Sequence, residues 1–232
     1  ITAGSIDERL TNLVATELRK AVIEGFGKDF SDLATDTPHY KMLESLEKNV
    51  FHFSAAKNYQ QLKSMTLALR DDQGNIRSFR DFRDEAYKIN AEYNSTWLKT
   101  EYNTAIGSAQ MAGKWTDFET NKETAPWLRY DTAGDRRVRP GHKALNGVIK
   151  QIDDAFWNIW YPPNGWGCRC DATQLIHGAD SQGYEAPDDV PVIFRTNLAK
   201  QGMIFPPKHP YFIGTPEDIL KQGEALIPVE KA

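Results

Sequence analysis

The sequence is poor in cysteine, since Cys168 and Cys170 are the two in a chain of 232 residues. One residue separates them, and an i, i+2 pair in an extended segment points its side chains to opposite faces, so we predict no disulfide framework. Two such thiols suit a reducing cytoplasm. The sequence also lacks an apolar run near the roughly 18 to 20 residues that cross a bilayer, so no membrane role is predicted.

The sequence also lacks an excess of basic over acidic side chains. The formal charge of -4 comes from 32 acidic and 28 basic side chains, so binding of nucleic acid would need a local basic patch rather than a favourable overall field. No Walker motif, dinucleotide fingerprint or serine elbow occurs in the sequence. We therefore predict no catalysis, assign no catalytic residue and expect no cofactor.

Helical periodicity dominates the first half of the chain. Ser5 and Glu8 have capping-box spacing before an amphipathic segment that ends near Gly25 or Gly27. Residues 37–38, Thr-Pro, are typical of the start of a second helix, which we expect to break around residues 53–54 before a third helix reaches residue 69. Ser78 caps the longest candidate helix, which extends to about residue 113.

Past residue 121, prolines, glycines, tryptophans and short apolar runs replace the helical period. The pattern predicts strands at residues 127–130 and 148–152, and a short helix at 140–145. An exposed loop is expected at 179–190, with short strands at most after it. The predicted fold class is therefore α+β. A helical region at residues 1–113 is expected to precede a small mixed α/β domain at 114–232, which includes a C-terminal extension and loops rich in proline and glycine.

The second half also carries an ordered set of motifs. An aspartate is followed by Gly-Asp-Arg-Arg-Val-Arg-Pro-Gly-His at residues 134–142, then by Asn-Gly, and then by Tyr-Pro-Pro-Asn-Gly-Trp-Gly-Cys-Arg-Cys at 161–170. This order resembles the signature of the phage Mu F-like minor head proteins, also called the head morphogenesis family. The resemblance covers about residues 95–211. It marks these residues: Thr100, Glu101, Asp131, Asp135, Arg137, Arg139, His142, Gly147, Pro162, Pro163, Cys168, Arg169 and Cys170.

The resemblance implies a minor capsid protein that acts in head assembly of a tailed phage or prophage, near the portal. The implied partners are the portal protein, the major capsid protein or both, with packaged DNA as a further candidate, and the oligomeric state stays open. The implied location is the capsid interior of the virion, after assembly in the bacterial host cytoplasm.

A metal site is the first alternative to a purely packed segment. Cys168, Cys170 and His142 could bind zinc, completed by His177 or Asp171. Structural zinc sites usually place two residues between their cysteines, and many family members have a Cys-x-x-Cys pair where this chain has residues 138–142. We therefore expect both cysteines to be small buried residues in a strand after the Pro-Pro bend, without metal.

A catalytic cluster is the second alternative. His142 with Asp131, Asp135 and Arg139 could act on a nucleic acid or nucleotide, as in an enzyme or a toxin-related domain. The favoured interpretation is a buried network of ion pairs, in which the arginines at 136, 137 and 139 pair with the two aspartates and Glu101. The aromatic cluster Phe156, Trp157, Trp160, Tyr161 and Trp166 could likewise stack nucleobases, but we expect it to be packed core.

Overall fold

A computed structural model describes residues 4–229 of the chain. The order of elements is α1 (Glu8–Phe26), α2 (Pro38–Leu67), α3 (Phe79–Ala91), α4 (Trp97–Asn121), β1 (Trp127–Asp131), α5 (Pro140–Ala144), β2 (Ile149–Gln151), α6 (Phe156–Trp160), β3 (Asp171–Leu175) and α7 (Glu217–Glu224). Helices dominate the first half and three short strands lie in the second. The predicted α+β class with a helical N-terminal region is confirmed.

The helix starts follow local hydrogen bonding. The Asp7 carboxylate accepts from the backbone N–H of Leu10 at 2.9 Å, so α1 is capped by Asp7 rather than through the Ser5 and Glu8 pattern that we predicted. Thr37 caps α2 as predicted, because its hydroxyl accepts from the backbone N–H of Tyr40. Ser78 caps α3, also as predicted.

The predicted break within α2 is wrong. Helix α2 runs without interruption from Pro38 to Leu67. Phe53 and Ser54 are both buried in its middle, and the Ser54 hydroxyl donates to the carbonyl of Val50 at 2.9 Å. The serine hydroxyl thus forms its hydrogen bond within the helix, and the helix continues past it.

The helix predicted from Ser78 to about residue 113 extends further and contains an irregular turn. A π-helical turn at Glu92–Thr96 separates α3 from α4, and α4 continues to Asn121. Such turns are local departures from regular α-helical hydrogen bonding. Among the described residues, no helix is both long and apolar enough to span a membrane.

The described part of the chain folds into two compact units. The first comprises residues 4–19, 47–102 and 208–229, and its buried side chains include Leu18, Phe51 and Phe53. Helix α7, which we did not predict, belongs to this unit, where Ile219 packs with Ile6 and Ala55.

The second unit comprises residues 20–46 and 103–207 and contains the sheet. Its strands lie in the order β2-β1-β3, and both pairings are antiparallel. Leu128 on the central strand lies opposite Lys150 and Gln174, and is fully buried. Strands β1 and β2 and helix α5 match their predictions, whereas α6 was not predicted and β3 begins at Asp171, after the cysteines that we expected to lie in a strand. The segment at 179–190 has no helix or strand and is largely exposed, as expected.

Candidate metal centre and the signature residues

A short helix and a tight turn bring His142 into the interior of the second unit. Pro140 occupies the first turn of α5, where a missing backbone N–H costs nothing, and His142 follows two residues later with 2% of its surface exposed. Gly147 then adopts φ +80°, a conformation that favours glycine, and its N–H donates to the carbonyl of Tyr130 at 2.8 Å. This turn leads the chain from α5 into β2 beside the central strand.

The Pro-Pro element leads the chain to the two cysteines. The bond between Pro162 and Pro163 is cis, and the next residue, Asn164, is fully buried and accepts a hydrogen bond from the Tyr130 hydroxyl at 3.0 Å. Gly167 has φ +60°, which supports a sharp turn immediately before Cys168. The segment that contains the cysteines is therefore a turn and its exit, and β3 begins only at Asp171.

Cys168, Cys170 and His142 converge. The Nδ1 atom of His142 lies 3.3 Å from the sulfur of Cys170 and 3.6 Å from the sulfur of Cys168. Their candidate ligand atoms all lie within 4.8 Å of one another, and both cysteines are free thiols. The expectation that both cysteines lie buried in a strand is wrong, because β3 begins only at Asp171 and Cys168 is half-buried, although Cys170 is buried.

The pKa values of the two thiols are shifted in opposite directions. A hydrogen bond from Cys170 lowers the pKa of Cys168, and His142 reinforces the effect. The same hydrogen bond and burial raise the pKa of Cys170. Among the described residues, this trio of two sulfurs and one imidazole is the group suited to hold a metal ion. Asp171 and His177 do not belong to the trio. The Asp171 carboxylate binds the Lys114 ammonium at 2.5 and 2.6 Å, and His177 is exposed.

The signature arginines and aspartates form hydrogen bonds and ion pairs near this trio. Arg169 donates two hydrogen bonds of 2.8 Å to the Asp135 carboxylate, and this contact is the main reason that the pKa of Asp135 is lowered. Arg139 donates to the carbonyl of Trp166 at 2.6 Å. Asp131 instead accepts from Arg129 at 2.7 Å. The contacts of Arg169 and Arg139 connect the loop before α5 to the segment that carries the cysteines, whereas the contact of Asp131 lies within β1.

The buried network that we predicted around Glu101 is wrong. The Asp135 and Arg169 side chains are 40% and 42% exposed, so their ion pair lies at the surface. Glu101 belongs to the first unit, where its carboxylate binds Lys57 at 2.5 Å and accepts from the Tyr211 hydroxyl at 3.2 Å. Burial is the main cause that lowers the pKa of Lys57 and raises the pKa of Glu101. Thr100, the neighbouring signature residue, is exposed.

Lys57 is the partner that sequence reasoning missed. It lies 44 residues before Glu101, and its side chain is 2% exposed. Lysine is almost never buried without a partner, but α2 contains four lysines, so the sequence did not single out Lys57 as the buried one. Nothing in the sequence identifies which carboxylate pairs with it.

The geometry does not assemble the catalytic cluster that was the alternative interpretation of these residues. His142 directs Nδ1 at the two sulfurs, and its buried Nε2 has no hydrogen-bond partner among the described residues. Asp131 and Asp135 are instead held by Arg129 and Arg169. A histidine that acts as a base needs a group to orient its ring, and neither carboxylate does so.

Most of the aromatic cluster is core, as predicted. Phe156, Trp157, Trp160 and Tyr161 are all buried, whereas Trp166 is half-buried. The Tyr161 hydroxyl donates to the carbonyl of Met111 at 2.9 Å, so its polar end is satisfied inside the unit. These buried faces are unavailable for base stacking.

Comparison with known proteins decides the family. The model of the family described as "Phage Mu protein F like protein" matches residues 53–173, just over half of the chain. This chain belongs to the phage Mu F-like family. The family assignment that the motifs indicated is confirmed, and all the signature residues lie within the matched range. The match begins well before residue 95, so it also includes part of α2 and all of α3, which we had described only as helical.

Two curated relatives cover a smaller part of this Mu F-like chain. The "Putative capsid assembly protein F" of Escherichia phage Mu is 40% identical over 73 residues, which are 32% of this chain and 17% of that protein. The "Mu-like prophage FluMu F protein" of Haemophilus influenzae is also 40% identical over 73 residues, which are 18% of its length. The chain thus matches less than a fifth of each relative. No solved structure matches it.

Proposed function

We propose that this Mu F-like chain takes part in head morphogenesis of a tailed phage or prophage, as a minor capsid protein. The observation that carries the proposal is the family match over residues 53–173, together with a relative that is named as a capsid assembly protein. We further propose that the chain lies inside the capsid and near the portal, as the resemblance implied. Its partners would be the portal protein, the major capsid protein or both.

The packing of the signature residues supports a structural role. Arg139 and Arg169 bind a carbonyl and a carboxylate of their own unit, so they hold loops rather than present an open phosphate site. His142 has no carboxylate to orient it. The alternative, an enzyme that acts through His142 and its neighbours, has no observation in its favour, and we infer a protein without catalytic activity.

An exposed apolar surface on the first unit also supports an assembly role. Helix α3 contains no buried residue, and Phe79 and Tyr87 are 79% and 67% exposed. With Met65, Phe82 and other residues they line a shallow groove of about 340 Å³. Amphipathic helices gain most of their stability from a partner surface, and a protein that works within an assembly meets such surfaces.

Deletion of the coding gene in an inducible source strain tests the proposal. We expect tails to form and heads to be absent, defective or non-infectious, with recovery when the gene is supplied in trans. Normal infectious particles without the gene would contradict the proposal. A strain that carries His177→Gln should behave as wild type, because this side chain is exposed.

Cross-linking of intact heads, followed by mass spectrometry, tests the finer position. Links to the portal protein are expected, together with resistance of the chain to protease until the heads are opened. Links confined to tail proteins, or cleavage of the chain in closed heads, would contradict a position inside the capsid near the portal.

A further inference from the structure

We propose that Cys168, Cys170 and His142 bind a zinc ion through two thiolates and one imidazole nitrogen, with a water as the fourth ligand. The proposal rests on the arrangement of these three side chains and does not depend on the function proposed above. It also revises our expectation from sequence that this segment is packed without metal.

The distances fit a tetrahedral zinc ion. With Zn–S near 2.3 Å and Zn–N near 2.0–2.1 Å, a tetrahedral centre holds nitrogen and sulfur about 3.6 Å apart and two sulfurs about 3.8 Å apart. The Nδ1 atom of His142 lies 3.3 and 3.6 Å from the two sulfurs, and all three atoms lie within 4.8 Å of one another. Small shifts of flexible side chains would complete the geometry.

Hydrogen bonding alone accounts less well for this arrangement. The Nδ1 atom of His142 carries either one proton or one lone pair, so it forms one good hydrogen bond. Two sulfurs nevertheless approach it at similar distances. An ion at the centre of the trio would satisfy both sulfurs and the nitrogen at once.

The surroundings offer a position for the fourth ligand and a route for the ion. A small cavity of about 20 Å³ is lined by all three side chains, and a volume of this size accommodates one water. A larger cavity of about 430 Å³ also reaches both cysteines and provides an entry path. Asp171 lines the larger cavity, but Lys114 holds its carboxylate, so water is the better fourth ligand.

The ion would join two segments that lie far apart in sequence. His142 lies on α5, between β1 and β2, while the cysteines precede β3 at a separation of 26 and 28 residues. Such a clamp fixes both loops against the sheet. The chemistry of two thiolates and an imidazole favours zinc over magnesium or calcium, which prefer oxygen ligands.

The test uses the full chain without a polyhistidine tag. The chain is expressed in zinc-supplemented medium, purified under reducing conditions and desalted. Elemental analysis is expected to give about one zinc per chain. Cobalt titration of the metal-free protein should add thiolate-to-cobalt charge-transfer absorption, which reports sulfur ligands directly. Cys168→Ser, Cys170→Ser and His142→Gln should each weaken cobalt binding at least about tenfold. The control His177→Gln should leave it unchanged.

A second measurement uses the wild-type chain alone, so it tests the site even where the variants fail to fold. Zinc should slow alkylation of both cysteines by iodoacetamide, and a chelator should restore the rate. Equal alkylation with and without zinc, or a folded chain that shows no charge-transfer band with cobalt, would overturn the site. Loss of binding in His177→Gln with retention in Cys170→Ser would overturn it as well.

Discussion

Exchange of Lys57 for methionine removes one partner of a buried ion pair and leaves the Glu101 carboxylate without its counter-charge. The two side chains are 2% and 5% exposed, and their charged atoms lie 2.5 Å apart. Loss of one partner of such a pair costs about 3–5 kcal/mol, because the remaining charge stays buried or must be neutralised. We expect Lys57→Met and Glu101→Leu each to lower the free energy of unfolding by that amount.

The double variant is expected to be more stable than either single variant. Methionine and leucine of similar volume bury no charge, although the Tyr211 hydroxyl loses its acceptor at a cost of about 1 kcal/mol. Single losses of about 3 kcal/mol or more and a loss of about 1 kcal/mol in the double variant give a coupling energy of about 5 kcal/mol or more. Urea denaturation followed by tryptophan fluorescence measures all four free energies.

The pH dependence of the Lys57→Met variant provides an independent check. Burial already raises the pKa of Glu101, and removal of Lys57 takes away the charge that opposes this shift. The folded state should then bind a proton more readily than the unfolded state, so the variant regains stability as the pH falls. Single variants that lose less than about 1 kcal/mol, or a double variant whose loss equals the sum, would refute this account of the buried pair.

Further predictions concern close packing and a buried histidine. Gly25→Ala should cost about 1–3 kcal/mol in urea denaturation, because the new Cβ would lie 2.2 Å from the carbonyl oxygen of Ile106. Gly107→Ala is the matched control, since the nearest atom lies 3.8 Å away, and it should be neutral or stabilising by up to about 1 kcal/mol; equal losses in both variants would contradict the packing. Burial lowers the pKa of His209 to about 4 from its ordinary value of 6.5. The unfolded state therefore binds more protons between these values, and stability that is full above pH 6.5 should fall by about 3 kcal/mol as the pH approaches 4. His209→Gln should flatten this part of the profile, and an unchanged slope would contradict the assignment.

Local patterns predicted the regular elements best where one face of a helix or one short apolar strand carries the signal. The cap at Ser78, strand β1 and helix α5 all follow from neighbouring residues. Helix α2 was divided in two because its middle is buried and mixes aromatic with polar side chains, which weakens the helical period. Strand β3 owes its form to pairing with β1 and has no strong pattern of its own.

The candidate site shows the same limit. Its residues were named from motifs, but the assumption of an extended strand placed the cysteine side chains on opposite faces. In the structure both sulfurs nevertheless lie beside the imidazole of His142. The pair of Lys57 and Glu101 joins residues on two helices. Contacts of this kind depend on tertiary packing, which periodicity does not encode. The division into a helical region at residues 1–113 and an α+β domain at 114–232 stays a prediction, open to limited proteolysis.

The most direct test of a minor head protein is quantitative mass spectrometry of purified, DNase-treated particles from an induced culture, with mature heads compared against tail-only fractions. The account predicts the chain in heads, at a copy number well below that of the major capsid protein. Its absence from heads, with the protein free in the lysate or confined to tails, would contradict the account.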